Sequence, residues 1–139
     1  GWGAPEARRT INGAGRRIPI EDRFVSGPVS CKIYNAAKIG LNVHSNQTHQ
    51  AGLNMRAFEL LAAGCFQLTD AVAGMEELLE PGKEVAVYRS PEEARSLADY
   101  FLRHAQERTA MAERGRARVL KEHTYEHRMR SLVQSIRQW

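Results

Sequence analysis

The chain has only two cysteines, Cys31 and Cys65, among its 139 residues. They lie far apart and without metal-ligand spacing, which excludes a disulfide-dense scaffold and predicts two reduced, buried thiols, with a bridge between them as the alternative. Long apolar runs are also missing. The longest, near residues 58–66, is broken by Glu59 and Gly64, far short of the roughly 18 residues of a membrane span. No Gly-x-Gly-x-x-Gly, P-loop, Gly-x-Ser-x-Gly or Cys-x-x-Cys occurs, so none of the sites those motifs build is signalled. The opening Gly1-Trp2-Gly3-Ala4-Pro5 has neither the basic stub nor the apolar stretch of a signal peptide, and no initiator Met. The chain therefore reads as a cut-out of something longer, and as cytoplasmic.

What is present is ordinary for a water-soluble protein: 42% apolar and 26% charged residues, enough to exclude wholesale disorder. The length suits one domain, since domains most often run about 100–150 residues. A chain of this size buries about 68–70% of its unfolded surface around a single core. The net charge of +4 is uneven. Residues 103–139 hold nine Lys and Arg against four Asp and Glu, leaving eleven against twelve elsewhere. Such a tail can meet phosphates or an anionic membrane, but the favoured reading is the solvated face of a packed helix. No base-reading motif accompanies the arginines, so nucleic acid is not expected as a partner.

Hydrophobic periodicity alternates between strand and helix along the chain. Pro5-Glu6-Ala7-Arg8-Arg9 could open a short helix, and residues 23–26 resemble a short strand closed by the turn dipeptide Gly27-Pro28. Ser30 then caps a helix over 31–38, with Ile33, Tyr34 and Ala37 on one side. Apolar residues at alternate positions predict a strand over 39–44, followed by a polar loop, 45–52. Asn54 is placed to cap a helix over 55–63 with a Phe58, Leu61, Ala62 stripe, closed by Gly64. Then come a strand at 65–69, a helix at 71–79 for which Asp70 reads as the cap, with a catalytic carboxylate as the alternative, a Pro81-Gly82 turn and a strand at 84–88. Ser90-Pro91-Glu92-Glu93 joins a cap, a first-turn proline and two acids at the helix start, predicting a helix to about 104. Helices over 106–122 and 125–138 form a tail, in which Tyr125, Met129, Leu132, Ile136 and Trp139 make one stripe suited to a core or an interdomain contact.

This order predicts an α/β fold, a doubly wound parallel sheet of four strands flanked by helices. Ligands of such sheets bind at the carboxyl ends of the strands, which points to the loop between His44 and Asn54. The free amides of the helix's first turn and the positive end of its dipole favour a phosphate there. Gly52 lets the backbone approach a ligand, and Arg56 could add a bidentate positive charge. Glu59, one turn on, could accept hydrogen bonds from two vicinal hydroxyls, as a ribose presents. Alternatively Arg56 and Glu59 form only a surface pair worth about 0.2–0.5 kcal/mol. His44 could touch a sugar or a phosphate, or serve as a structural hydrogen-bonding group. His49 reads as solvated, and His123 and His127 lack a third ligand, so no metal is expected.

The runs Tyr34-Asn35-Ala36-Ala37-Lys38-Ile39-Gly40-Leu41-Asn42 and Gly52-Leu53-Asn54-Met55-Arg56-Ala57-Phe58-Glu59-Leu60-Leu61-Ala62-Ala63-Gly64 resemble the carboxyl-terminal domain of group 1 glycosyltransferases. More narrowly, they resemble the branch typified by the spore maturation protein CgeB. Gly74-Met75-Glu76-Glu77-Leu78-Leu79, Pro81-Gly82-Lys83-Glu84, and His123-Thr124-Tyr125 with Arg128 add to the resemblance. It implies a GT-B arrangement of two Rossmann-like domains facing a cleft. In that arrangement, residues 1–139 are a single donor-binding domain with a helical tail at 106–139, and an amino-terminal acceptor-binding domain is missing.

By position, Glu59 would hold the ribose of a nucleoside-diphosphate sugar, and the amides of Leu53, Asn54 and Met55 its diphosphate. The wider group often carries a second glutamate where this chain has Ala51. Contact to the donor sugar then falls to His44, Asn46 or Arg56, and an inactive scaffold domain is the alternative function. The basic pair that neutralises the leaving diphosphate maps loosely to Arg8 or Arg9. Chemistry without metal or cofactor follows from the resemblance, and no Asp-x-Asp pair occurs.

Overall fold

The computed structural model describes residues 11–13, 16–18, 25–44 and 52–139. The chain divides into two compact units, Gly1–Ser30 and Cys31–Trp139. In the smaller unit, strands β1 (Ile11–Gly13) and β2 (Arg16–Ile18) form an antiparallel hairpin with Ile11 opposite Ile18. Strands this short carry too few residues to show alternation, and the sequence reading had no hairpin there. Pro5 to Arg9 lie outside the described residues, as do Arg23 and Phe24. Val25 and Ser26 belong to no strand.

Helix α1 (Gly27–Ala36) begins at the Gly27-Pro28 dipeptide, where the sequence predicts a turn. Proline is at home in a first helical turn, where its missing N–H has no partner to lose. The helix therefore starts four residues before the expected Cys31 and stops short of Lys38. None of its residues is buried, so the apolar spacing of Ile33, Tyr34 and Ala37 marks no core face.

The larger unit is built on a parallel sheet of order β3-β4-β5, from β3 (Gly40–Asn42), β4 (Gln67–Asp70) and β5 (Ala86–Tyr88). Helix α2 (Met55–Ala62) follows β3; α3 (Pro91–Arg103), α4 (Ala105–Glu122) and α5 (Tyr125–Arg137) follow β5. Leu68 and Ala86 are register partners and face the same way. With Phe66 they pack against Phe101 of α3 and Met111 and Ala112 of α4. On the other face Phe58 and Leu61 of α2 meet Val72, Met75, Leu79, Val85 and Val119 of α4. Helices thus cover both faces, as the doubly wound pattern requires. Close approach of α4 depends on Gly115, where a Cβ would stand 2.5 Å from the Glu84 carbonyl oxygen and 2.7 Å from Leu61 Cδ2.

The helix expected over 71–79 does not form. Val72, Met75 and Leu79 sit at helical spacing and are all buried in one cluster, which is why the segment reads as a helix. Gly74, at φ 79°, takes a left-handed conformation that interrupts it, leaving one 3-10 turn at Met75–Glu77. The expected cap role of Asp70 disappears with that helix. Among the described residues there are three parallel strands, not four. Both cysteines are free, but Cys31 is exposed and only Cys65 is buried, so the expectation of two buried thiols holds for one. The tail stripe is not core: Tyr125, Met129, Leu132 and Ile136 are 52–71% exposed and Trp139 fully so.

Candidate functional site

Along β3 and the two residues after it, Gly40, Asn42 and His44 are buried while Leu41 and Val43 are exposed. Asn42 and His44 therefore point to the same side of the sheet. Asn42 meets Asn54, the residue before α2, through a reciprocal amide pair: Asn42 Nδ2 donates to Asn54 Oδ1 at 3.1 Å, and Asn54 Nδ2 donates to Asn42 Oδ1 at 3.2 Å. Asn54 Oδ1 also accepts from the Ala57 backbone N–H at 3.0 Å. An N–H can only donate, so that bond fixes which way the Asn54 amide points, and the pairing then fixes Asn42. The expected cap is thus formed, and it also ties the start of α2 to the end of β3. Gly52, just upstream, has φ 96°, a left-handed value that favours glycine. The first-turn amides of α2 lack intrahelical acceptors and carry the positive end of its dipole.

His44 is held by Asp70, which ends the neighbouring strand. Both Asp70 carboxylate oxygens accept from the His44 backbone N–H at 3.1 Å, and Oδ1 lies 2.7 Å from His44 Nδ1. Thr69 Oγ1 donates to the same oxygen at 3.3 Å. The His44 side chain is 0% exposed, and its other ring nitrogen, Nε2, has no hydrogen-bond partner among the described residues. A buried polar atom left so costs about 1–3 kcal/mol. Tyr88, the register partner of Asp70, donates weakly to the Asn42 carbonyl at 3.5 Å. Burial, and then the nearby Asp70 charge, push its phenol up from the ordinary value.

Glu59 opens onto a cavity of about 320 Å³ between α2 and the junction of α4 and α5. Leu53, Met55 and Phe58 line it from one side, and His123, Thr124, Tyr125 and Arg128 from the other. The Arg128 guanidinium stands 4.5 Å over the Phe58 ring, a cation–π arrangement. His123 approaches the Leu78 carbonyl at 2.8 Å through Nε2, and the Tyr125 hydroxyl reaches Met55 Sδ at 2.8 Å. Volume does not single this cavity out, because one of about 390 Å³ lies where α1 and α2 end, beside Lys38, Gly64 and Arg116. Position and chemistry do: the Glu59 cavity borders the start of α2 and pairs a carboxylate with an apolar wall, as pockets for organic ligands commonly do.

Residues 4–134 match the family described as glycosyl transferase-like. The chain belongs to that family. Neither a curated protein nor a solved structure gives a significant match. A parallel sheet flanked by helices is what a Rossmann-like glycosyltransferase domain requires, and it makes the carboxyl ends of β3 and β4 the place to look for substrate contacts in this glycosyl transferase-like chain.

Of the residues singled out in the sequence, Leu53, Met55 and Glu59 come together at the cavity, with Asn54 joined to Asn42 behind them. Arg56 is exposed and does not line the cavity. No ion pair joins it to Glu59 among the described residues, so the alternative of a simple surface pair is not realised. His44 sits with Asp70 instead. Asn46, His49, Ala51, Arg8 and Arg9 lie outside the described residues. Sequence reasoning missed the Asp70 grip on His44, whose only signal was that both residues follow apolar strand runs. It also placed none of His123, Thr124, Tyr125 and Arg128 beside Glu59. They lie 64–69 residues beyond Glu59 in the sequence, and nothing in local patterning brings them to it.

Proposed function

We propose that this chain is the donor-binding half of a GT-B glycosyltransferase of the CgeB-like branch, acting on a nucleoside-diphosphate sugar in the cytoplasm. The observation that carries the reading is the cavity that Glu59 lines together with Leu53 and Met55 at the start of α2. Glu59 would accept hydrogen bonds from both ribose hydroxyls, while Leu53, Met55 and Tyr125 give the nucleoside an apolar wall. The amides of Leu53, Asn54 and Met55, with Gly52 admitting the backbone and Arg56 adding charge, would hold the diphosphate. His44 and Asn46 would face the sugar.

In the reaction the bond between the anomeric carbon and the diphosphate oxygen breaks, a bond from that carbon to an acceptor hydroxyl oxygen forms, and the hydroxyl proton passes to a base across the cleft. Negative charge then gathers on the departing diphosphate. Helix amides and arginine stabilise it without metal or cofactor. The acceptor belongs to an amino-terminal partner domain, and the exposed apolar stripe of α5 is a surface for contact with that half. A non-catalytic scaffold is the second reading, favoured by Ala51 where the wider group often has its second glutamate.

Titration with uridine and guanosine diphosphates, followed by calorimetry or NMR, tests the proposal. At least one should bind in the millimolar range or tighter. One hydrogen bond to a charged carboxylate is worth about 1.5–3 kcal/mol, so losing even one of the two in Glu59→Ala should weaken binding by roughly 10- to 100-fold. Glu76→Ala should leave it unchanged. Absence of binding at millimolar nucleotide, or equal effects of the two substitutions, overturns the reading; turnover of a nucleotide-sugar by the parent protein excludes the scaffold.

A further inference from the structure

His123 and Arg128 flank one aromatic ring. The His123 imidazole lies 5.6 Å from the Phe58 ring, centroid to centroid, and the Arg128 guanidinium stands 4.5 Å over it. A carbonyl only accepts, so the contact between His123 Nε2 and the Leu78 carbonyl places the ring hydrogen on Nε2. Nδ1 of the neutral imidazole is then a bare acceptor. It has no partner among the described residues and, unlike His44 Nε2, is not sealed in the interior, on a side chain that lines the Glu59 cavity. Arg128 lines the same cavity and offers only donors. Its neighbour Arg130 pairs with Glu126, whereas Arg128 has no ion-pair partner among the described residues.

Position along α2 says which part of a nucleotide meets this pair. Tyr125 reaches Met55, and three residues later on both helices Arg128 stands over Phe58. The start of α5 therefore runs alongside α2, and Arg128 sits about one turn beyond the amides assigned to the diphosphate, level with Glu59. Its level is that of the nucleoside. We infer that His123 and Arg128 read the nucleobase: Nδ1 accepts from a ring N–H, and the Arg128 fork donates to the carbonyl beside it. Uracil and guanine each carry an N–H next to a carbonyl. Adenine has no carbonyl, and that of cytosine adjoins only ring nitrogens without hydrogen. The inference rests on the donor-binding reading above and narrows its donors to uridine and guanosine nucleotides. The Leu78 bond alone would serve a purely structural His123; the free nitrogen has no such use.

The test uses the full chain, labelled with nitrogen-15 at histidine, at about pH 8, above the ordinary imidazole value. Long-range proton–nitrogen spectra should show the Nε2–H tautomer at His123; the Nδ1–H tautomer overturns the inference before any ligand is added. Saturation with the tighter-binding of uridine and guanosine diphosphates should move His123 Nδ1, while His104, at the opposite end of α4, stays still. An unmoved Nδ1 also overturns the inference. One hydrogen bond to a charged group predicts that adenosine and cytidine diphosphates bind roughly 10- to 100-fold more weakly than the tighter of that pair. Arg128→Ala, which removes no side-chain hydrogen bond among the described residues, should erase that preference, and Arg128→Lys should restore only part of it. A preference absent from the parent chain, or one kept in Arg128→Ala, overturns the inference; if Glu59→Ala still weakens binding, the donor site itself stands. Failure of every nucleotide to bind the unaltered chain sinks the donor-binding reading and this inference with it.

Discussion

Asn54 links the sheet to the helix that follows it, and its side chain can be dismantled one bond at a time. In Asn54→Ala the cap on Ala57 N–H is lost, a change worth about 1 kcal/mol. The same substitution strands both polar atoms of the Asn42 amide, which is 1% exposed, at a cost of about 1–3 kcal/mol. The sum, about 2–4 kcal/mol, is a large fraction of the 5–15 kcal/mol by which domains are typically stable. Asn54→Ser keeps a capping oxygen but is too short for Asn42, so only the second cost applies, about 1–3 kcal/mol.

Asn54→Asp can accept from both Ala57 N–H and Asn42 Nδ2 and lacks only the donor to Asn42 Oδ1. Its charge is also favoured at a helix start, so the loss should stay below about 1 kcal/mol. Urea unfolding followed by circular dichroism should rank the losses Ala, then Ser, then Asp, with midpoints moving and slopes constant. If Asn54→Ala falls within about 0.5 kcal/mol of the parent chain, the ordinary range for surface changes, the amide pair carries no load and the reasoning fails. Serine matching the parent would show that the cap alone matters.

At Gly115, alanine gains up to about 1 kcal/mol of helix propensity. It also drives a Cβ to 2.5 Å from the Glu84 carbonyl oxygen, where overpacking costs about 1–3 kcal/mol; a net lower melting temperature is expected, and a higher one would show that α4 yields. For the cysteines, Ellman's reagent should label exposed Cys31 at once and buried Cys65 only on unfolding. Burial pushes the Cys65 thiol up, against a smaller opposing pull from the Gly40 backbone. Its stabilising contribution is therefore full below the ordinary thiol value of about 8.5 and lost as pH rises beyond it. Stability measured from pH 8 to 10 should fall less steeply in Cys65→Ala than in the parent chain, and parallel slopes would refute the assignment.

The amino-acid sequence by itself determined the local decisions. Ser90 accepts from Glu93 N–H at 3.1 Å, with Pro91 opening α3, and Asn54 caps α2, because capping and first-turn chemistry act between residues three apart. The buried stripe of Phe58 and Leu61 was legible for the same reason. The α/β class followed from the alternation of such segments, and the glycosyltransferase resemblance came from runs of residues that are contiguous. What lay beyond reach was set by distance along the chain. Residues 71–79 have helical spacing, yet Gly74 takes a left-handed turn and the buried side chains meet the core without a helix. Asp70 serves His44 because β3 and β4 lie side by side in one particular register, and Glu59 shares a cavity with Arg128 because α4 returns across α2. Pairings of that kind depend on how packed faces fit in three dimensions, which no local pattern encodes, so tertiary structure alone decided them.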